Sequence, residues 1–546
     1  TKNWDDAVYR RWIEWSYAQR VALWELNNAV THEYGGPDCE WSGMNSGNLT
    51  NQCRSFRDWR AMAERVRIIF LDHQGRSSGG AIFQNGEQGK LIRSLMGDDA
   101  PMPESIAMYN NTGNFRLSSK PEPEVRLWFC EAVAGGIRPW WHHVGADHED
   151  RRMFRTAVPL FTWHEANERY LRDRRHLASV AIVYSQRNVD WYGRDEAEER
   201  CDSPARGLAA ALVRARIPYA MVNADRLDAD ALAGYRALLL PNVGALSEAQ
   251  CQALRAYTGR GGGLLATGET SLYDEWGDRR GDFGLADLFG AHASGTSLAP
   301  KGREPSYFRF VDGPGERAEP LRVGPSSAFS AGWEETNHLP FGGGLVLTRP
   351  AENGPRVALT YVPPFPTHPP EFAYMTVERT SLPCLYLREG QQGRGRVAYL
   401  PADLDRQYWR LNQPDHAALL ASLVRWVARD DLPVRVSGPG YVDVHAYVQG
   451  GDQSAGGSGT VAAAERLIVH LVNLTHANTW KAPVDELNVV GEQRVAFTLP
   501  AGRRATSAKL LVAGRAADLD SADGATVARV PSIADHEVVV VELEAA

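Results

Sequence analysis

The chain has 546 residues, 43% of them apolar and 23% charged, and a formal net charge of −8. That length exceeds one hydrophobic core and implies about two to four domains. The acidic balance excludes a nucleic-acid partner, which needs a basic face, and no run approaches the roughly 20 apolar residues of a membrane span.

Six cysteines (Cys39, Cys53, Cys130, Cys201, Cys251 and Cys384) form no C-x-x-C pair, so no zinc or redox motif is present. Five of them lie in apolar or helical surroundings, the pattern of buried, reduced thiols. With no secretory leader visible, this gives the expectation of a cytoplasmic protein.

Residues 1–177 alternate helical and strand signals. A helix is predicted over Asp5–Ala29, with Val8, Trp12, Trp15, Ala22 and Leu26 on its buried face. Then come a strand at Cys39–Met44, a helix at Ser55–Arg65, a strand at Ile68–Asp72 and a helix at Glu87–Met96. A strand at Ser105–Tyr109, a helix at Glu122–Ala134, a strand at Pro139–His143 and a helix at Phe154–Arg172 complete the segment. Four strands alternating with helices read as parallel βα units. The expectation is the second half of a (β/α)₈-type barrel, whose closure needs eight strands.

Residues 178–430 read as a doubly wound α/β domain. Its predicted elements are strand Ser179–Ser185, helix Pro204–Ile217, strand Pro218–Asn223, strand Ala237–Val243, helix Ser247–Arg260, strand Leu264–Thr267, strand Arg396–Pro401 and helix His416–Ala428. Residues 290–392, rich in Pro, Gly and Ser, read as a partly β insertion. Gly259–Gly263 is a helix stop and turn without the G-x-G-x-x-G spacing of a phosphate loop, and no cofactor is implied. Residues 431–546 hold β-rich runs at 434–436, 441–448, 467–474, 494–499, 509–512 and 537–543, the pattern of a small β-sandwich, with a Gly/Ser loop at Gly450–Gly459.

The most telling stretch is RIIFLDHQGR (67–76), where the apolar Ile68–Leu71 ends in Asp72, His73 and Gln74, then Gly75 and Arg76. In α/β barrels the C-terminal tip of a strand carries the chemistry. The plainer alternative is an aspartate that caps the next helix or pairs with Arg76. The other tips supply Glu40, Trp41, Asn45 and Asn48; Tyr109, Asn110, Asn111 and Asn114; and Trp140, Trp141, His142 and His143. Amides, indoles and carboxylates gathered at one mouth suit a carbohydrate.

Glycoside hydrolysis needs two carboxyl groups across the scissile bond. Asp72 is the candidate acid/base, with His73 and Arg76 placed to tune it. Glu40 is the only second carboxylate at a visible tip, and its alternative role is an ion pair with an arginine. His142 and His143, with Asp147, His148 and Asp150, raise a metal reading. Adjacent strand residues face opposite sides, so both histidines do not readily reach one ion, and no metal is expected there. The same parity sends one of Trp140 and Trp141 to the mouth and the other to the helices. Trp12 and Trp15 are expected in the helix core.

The middle domain resembles the class I glutamine amidotransferase fold, which places a cysteine on a tight strand-to-helix turn. Here ALLLPNV runs into Gly244-Ala245-Leu246-Ser247, and Cys251 falls inside the next helix, so no activated thiolate is expected.

The order of parts resembles microbial glycoside hydrolases with a β-galactosidase-type trimerisation domain. It is carried by SVAIVYS (179–185), the stretch ALLLPNVGALSEAQCQALRAYTGRGGGLLATGETSLYD (237–274), DFGLADLFG (282–290), GRGRVAYLPADL (393–404) and LIVHLVNLT (467–475). The resemblance implies a glycosidase acting on a galactoside- or fucoside-type sugar, and a homodimer or homotrimer. Such galactosidases carry an Asn-Glu acid/base on the fourth barrel strand and a glutamate nucleophile on the seventh. Here the strand counted seventh, SIAMYNN (105–111), ends without a carboxylate. Carboxylate placement therefore looks more like α-L-fucosidase- or α-galactosidase-type barrels. In those an aspartate on the fourth strand attacks and a sixth-strand carboxylate is the acid/base, the position of Asp72. The competing expectation is a non-catalytic carbohydrate-binding or assembly protein on a degenerate barrel.

Overall fold

The computed structural model describes all residues except 1, 44, 46–47, 78, 99, 111–114, 145–148, 300–304, 312–335, 353, 391–394, 451–463, 477, 479–481 and 523. Asn111, Asn114, Asp147, His148 and most of the Gly/Ser loop lie outside the described residues. The chain forms two compact units, one of residues 1–178, 216–221 and 433–546, the other of residues 179–215 and 222–432. No described helix is long and apolar enough to cross a membrane.

The first unit opens with the helix Ala7–Gly35, capped by Asp6, whose carboxylate accepts from the Val8 amide. Its buried face is Ile13, Ser16, Trp24 and Asn28. The face expected to be buried is the exposed one: Val8 is 68% exposed, Trp15 57% and Leu26 58%, with Trp12 and Ala22 exposed as well. The helix carries apolar residues on more than one side, and periodicity alone does not say which side meets the protein. Two short helices, Leu49–Arg54 and Trp59–Ala63, replace the single one expected at Ser55–Arg65. Phe56 between them takes φ +51°, which ends one helix before Asp58 caps the next.

The parallel strands form a row of four. Asn45 bridges Leu71, Leu71 bridges Glu104, and the strand Pro103–Ala107 pairs in parallel with Arg138–His142. The first two members are single bridges rather than the strands expected at Cys39–Met44 and Ile68–Asp72. At the first, Gly43 turns left-handed (φ +56°) under the Trp41 ring, 3.0 Å from where a Cβ would stand, and this breaks the extended run. Among the described residues the row does not close into a barrel. Helices Gln84–Met96, Glu122–Ala134 and Arg152–Leu171 follow the second, third and fourth members. A ribbon, Tyr109–Asn110 against Phe115–Ser119, extends the third strand tip.

The C-terminal part of the same unit is a two-sheet sandwich. One sheet runs Val434–Ser437, Gln493–Phe497, Ala525–Val530, Leu519–Ala522. The other runs Arg515–Ala517, Arg503–Leu510, His536–Ala545, Arg466–Asn473, Val442–Gln449, Arg174–His176. Val442, Val444, Ala446 and Val448 enter the core between the sheets. The alternate residues Asp443, His445 and Tyr447 are buried too. Their face is covered by helix Glu122–Ala134: His445 meets Glu131, and the Tyr447 hydroxyl donates to Ala134 O. A strand covered on both faces shows no alternation of burial.

In the second unit the strands Val180–Tyr184, Ala237–Leu240, Gly263–Thr267 and Val397–Leu400 are parallel neighbours. The insertion continues the sheet antiparallel through Pro383–Arg388, Arg356–Val362 and Tyr307–Phe310 to His338–Pro340. Helix Ser203–Arg214 crosses Leu404–Leu411 at Gly207, where a Cβ would stand 1.8 Å from the Asp405 carbonyl. Only glycine permits that approach.

Candidate active site

Register sorts the strand-tip side chains onto two faces. Ser105 lies opposite Trp140 and Ala107 opposite His142, while Ile106 lies opposite Trp141. Trp141 packs edge-on against Phe154 of helix Arg152–Leu171, at 4.8 Å between centroids. The Trp141 face is therefore the helix side, and Ser105, Trp140 and His142 belong to the inner face. Leu71 is in register with Glu104, so Asp72, one residue on, joins the inner face beside Ser105.

There the groups form a connected cluster. Asp72 Oδ1 accepts from Gln74 Nε2 at 2.7 Å and from Ser105 Oγ at 2.9 Å. The Tyr109 hydroxyl donates to Gln74 Oε1, which fixes the amide with its NH₂ toward the carboxylate. The Tyr109 ring meets His142 edge-on at 5.7 Å, and Trp140 lies 5.3 Å from His142 and 5.5 Å from Phe70. The Arg116 guanidinium stands 6.0 Å above the Tyr109 ring. Burial lowers His142 against the pull of Asp72, which favours the neutral imidazole. Burial raises Tyr109, Asp72 adds to it, and Arg116 opposes both. The phenol stays a donor.

Glu104 was not anticipated. It is fully buried on the helix side of the strand next to Asp72. Burial first, then the Asp72 charge, raises its carboxyl well above the ordinary range against the His73 backbone, which favours its neutral form. Ser105 was missed as well. Only the register shows that it, and not Glu104, faces Asp72.

The remaining expected site residues are placed elsewhere. Arg76 does not approach Asp72. It is buried in a two-point ion pair with Glu124 (Nε–Oε1 3.1 Å, Nη2–Oε2 3.0 Å) and also donates to the carbonyls of Gly80 and Asn478. Asp72 therefore neither pairs with Arg76 nor begins a helix: the next helix starts at Gln84. Glu40 accepts from Arg67 Nε at 2.6 Å and from the Arg67 amide at 2.9 Å, the ion-pair alternative. Trp41 packs on Trp24 of the first helix at 4.7 Å. Asn45 is buried, its amide donating to Phe70 O at 3.1 Å. His73 packs edge-on against Trp128, whose indole donates to His73 O at 3.0 Å. His143 lies against Trp141 at 5.7 Å on the helix side. Asn110 is half-buried, opposite Phe115 in the ribbon.

In the second unit the turn after strand Ala237–Leu240 holds Asn242 and no cysteine. Asn242 has φ +49°, and its side chain is occupied by the Tyr192 hydroxyl, Arg200 O and the Glu269 amide. Cys251 is buried in helix Glu248–Gly259, and burial pushes its thiol up to about 11. It is not an activated nucleophile.

No protein-family model and no curated protein sequence matches the chain. Solved structures do. α-L-Fucosidase isoenzyme 2 from Paenibacillus thiaminolyticus matches over 90% of this chain and 72% of its own, with 15% identity and a TM-score of 0.65. A β-galactosidase from Bacillus circulans sp. alkalophilus matches over 89% and 62%, with 16% identity and a TM-score of 0.59. The chain thus spans less than two thirds of that enzyme. The β-galactosidase from Halorubrum lacusprofundi matches over 97% and 68%, with 17% identity and a TM-score of 0.60. At these identities the likeness establishes a shared fold with glycoside hydrolases.

Proposed function

We propose that this chain is part of a glycosidase in which Asp72 is the acid/base. The observation that carries the reading is the Asp72–Gln74–Tyr109 cluster, with Ser105, on the inner face of the parallel row, beside Trp140 and His142. A carboxyl group held by two neutral donors keeps its orientation in both protonation states, as a group that gives and takes a proton requires. The Trp140 ring and the neutral His142 suit the C–H face and a hydroxyl of a sugar. The fold-mates are an α-L-fucosidase and β-galactosidases, so we assign a fucoside- or galactoside-type substrate. We assign the second carboxylate to βα units that continue the open row, because Glu40 is committed to Arg67. Assembly into a dimer or trimer belongs to the same proposal.

One observation favours a second reading. Asp72 is the only carboxylate that the register places on the inner face among the described residues, and a carbohydrate-binding protein needs no more. Hydrolysis of a panel of aryl α- and β-glycosides, with Asp72→Asn beside the parent, separates the two. Activity on one sugar that the variant lacks supports the hydrolase. Activity retained in the variant removes Asp72 from the mechanism. Binding of a sugar without cleavage favours the second reading.

A further inference from the structure

Away from the strand tips, the first unit buries a second group of ionisable side chains. Glu131 projects from helix Glu122–Ala134, and Asp443 and His445 from strand Val442–Gln449. All three are buried, and their ligand atoms lie within 4.8 Å of one another. His445 Nε2 is 3.1 Å from Asp443 Oδ2 and 3.4 Å from Glu131 Oε2. Ligands bound at about 2.0–2.2 Å to one ion stand roughly 3.0–3.5 Å from each other. These two separations are edges of such a polyhedron.

Independently, both Glu131 carboxylate oxygens are buried without a well-formed hydrogen bond, His445 Nε2 standing 3.4 Å from Oε2. A buried carboxylate without a full set of donors carries the desolvation penalty of its charge unless it holds a proton or meets a cation. Lys90, on helix Gln84–Met96, does not supply the donor. Its Nζ has no hydrogen bond and stands 3.4 Å over the Tyr219 ring. Arg93, on the same helix, is spent on Gly135 O, the Tyr447 hydroxyl and Asp98. Gly86 lets its helix approach the group closely: a Cβ there would fall 2.6 Å from Glu131 Oε2 and 2.7 Å from His445 Cε1.

We propose that Glu131, Asp443 and His445 bind one divalent first-row cation, tying helix Glu122–Ala134 to the six-stranded sheet of the sandwich. Two carboxylates and one imidazole suit an ion between the oxygen-preferring and nitrogen-preferring classes, such as Mn²⁺ or Zn²⁺. Two carboxylates also neutralise its charge. This goes beyond the glycosidase reading and does not depend on it. The neighbouring triad Cys130, Asp535 and His536 is the weaker candidate, because Asp535 is already paired with Arg126 at 2.5 Å.

The test is metal content of the full chain by mass spectrometry, after expression or refolding with Zn²⁺ or Mn²⁺ and exhaustive desalting. The expected result is about one ion per chain, with a higher melting temperature than protein refolded in chelator. Glu131→Gln should lower occupancy at least about tenfold, while Cys130→Ser and Lys90→Met keep it. Should Glu131→Gln fail to fold, Co²⁺ loaded into the parent decides. Oxygen and nitrogen ligands give only weak visible bands, whereas Cys130 would add an intense sulfur charge-transfer band. No retained ion, occupancy lost in Cys130→Ser, or the sulfur band would each overturn the assignment.

Discussion

Ser105 Oγ donates to Asp72 Oδ1 at 2.9 Å between neighbouring members of the parallel row. The bond exists because Asp72 follows Leu71, and Leu71 is in register with Glu104. A shift of one residue would bring the Glu104 carboxyl against Asp72 and send Ser105 to the helices. With Asp72 as acid/base, Asp72→Asn is expected to lower kcat/KM by roughly 10²–10⁴-fold. Ser105→Ala, which removes one of two donors, should cost about tenfold or less, near 1 kcal/mol. Both should melt within a few degrees of the parent. Steady-state rates on the best aryl glycoside, with melting curves alongside, check this.

Gln74 passes the orientation of Tyr109 on to Asp72. The phenol donates to Oε1, so the amide must present Nε2 to the carboxylate. Gln74→Glu replaces that donor with a second negative charge. The expected outcome is an alkaline limb of the pH–rate profile shifted upward, since a like charge beside the general acid favours its protonated form. Tyr109→Phe keeps the charge and should lower the rate without moving the limb. An unmoved limb in Gln74→Glu would remove Asp72 as the group that limb reports.

Arg76 was read from the sequence as a neighbour of Asp72, and the structure makes it a brace. The Arg76–Glu124 pair is buried, with Glu124 also accepting from the Val484 amide at 2.8 Å. Removing one partner leaves an uncompensated buried charge. Arg76→Met is therefore expected to cost roughly 3–5 kcal/mol in urea unfolding, and the double variant with Glu124→Met less than the sum. A substrate-binding arginine would instead raise KM at unchanged stability.

These cases show what the sequence carried. The runs at 180–184, 237–240 and 442–448 announced themselves by apolar continuity or alternation, and helix Glu122–Ala134 by its spacing. The two-faced helix Ala7–Gly35 was misjudged because only packing decides which apolar stripe is covered. The inner-face cluster was half legible. Asp72, Gln74, Tyr109, Trp140 and His142 stand at strand tips, but Ser105 depends on register. The partners of Arg76 and Glu40 lie 48 and 27 residues away in the chain, and no local pattern joins them. The Glu131, Asp443 and His445 group draws on segments some three hundred residues apart, brought together only by the sandwich lying against a helix.

Asp405, at the start of helix Leu404–Leu411 in the second unit, gives a pH-dependent test. It is fully buried, with Thr267 Oγ1 donating to Oδ2 at 2.6 Å and the Arg406 amide to Oδ1 at 2.8 Å. Burial pushes its carboxyl up to about 7 from an ordinary 3.8, with Asp403 adding to it and Thr267 and Arg406 opposing. Below about pH 4 the group is protonated folded and unfolded alike and contributes nothing to the pH dependence. Between about pH 4 and 7 the folded chain holds a proton that the unfolded chain releases, so this group's contribution falls as pH rises. Above pH 7 the cost is complete, on the order of 4 kcal/mol at 1.36 kcal/mol per unit. Asp405→Asn cannot titrate and keeps an acceptor for Thr267. Its stability relative to the parent should therefore rise by several kcal/mol from pH 4 to pH 8 in urea unfolding. Other titrating groups cancel in that difference, so a flat difference would mean that Asp405 is solvated in the folded chain.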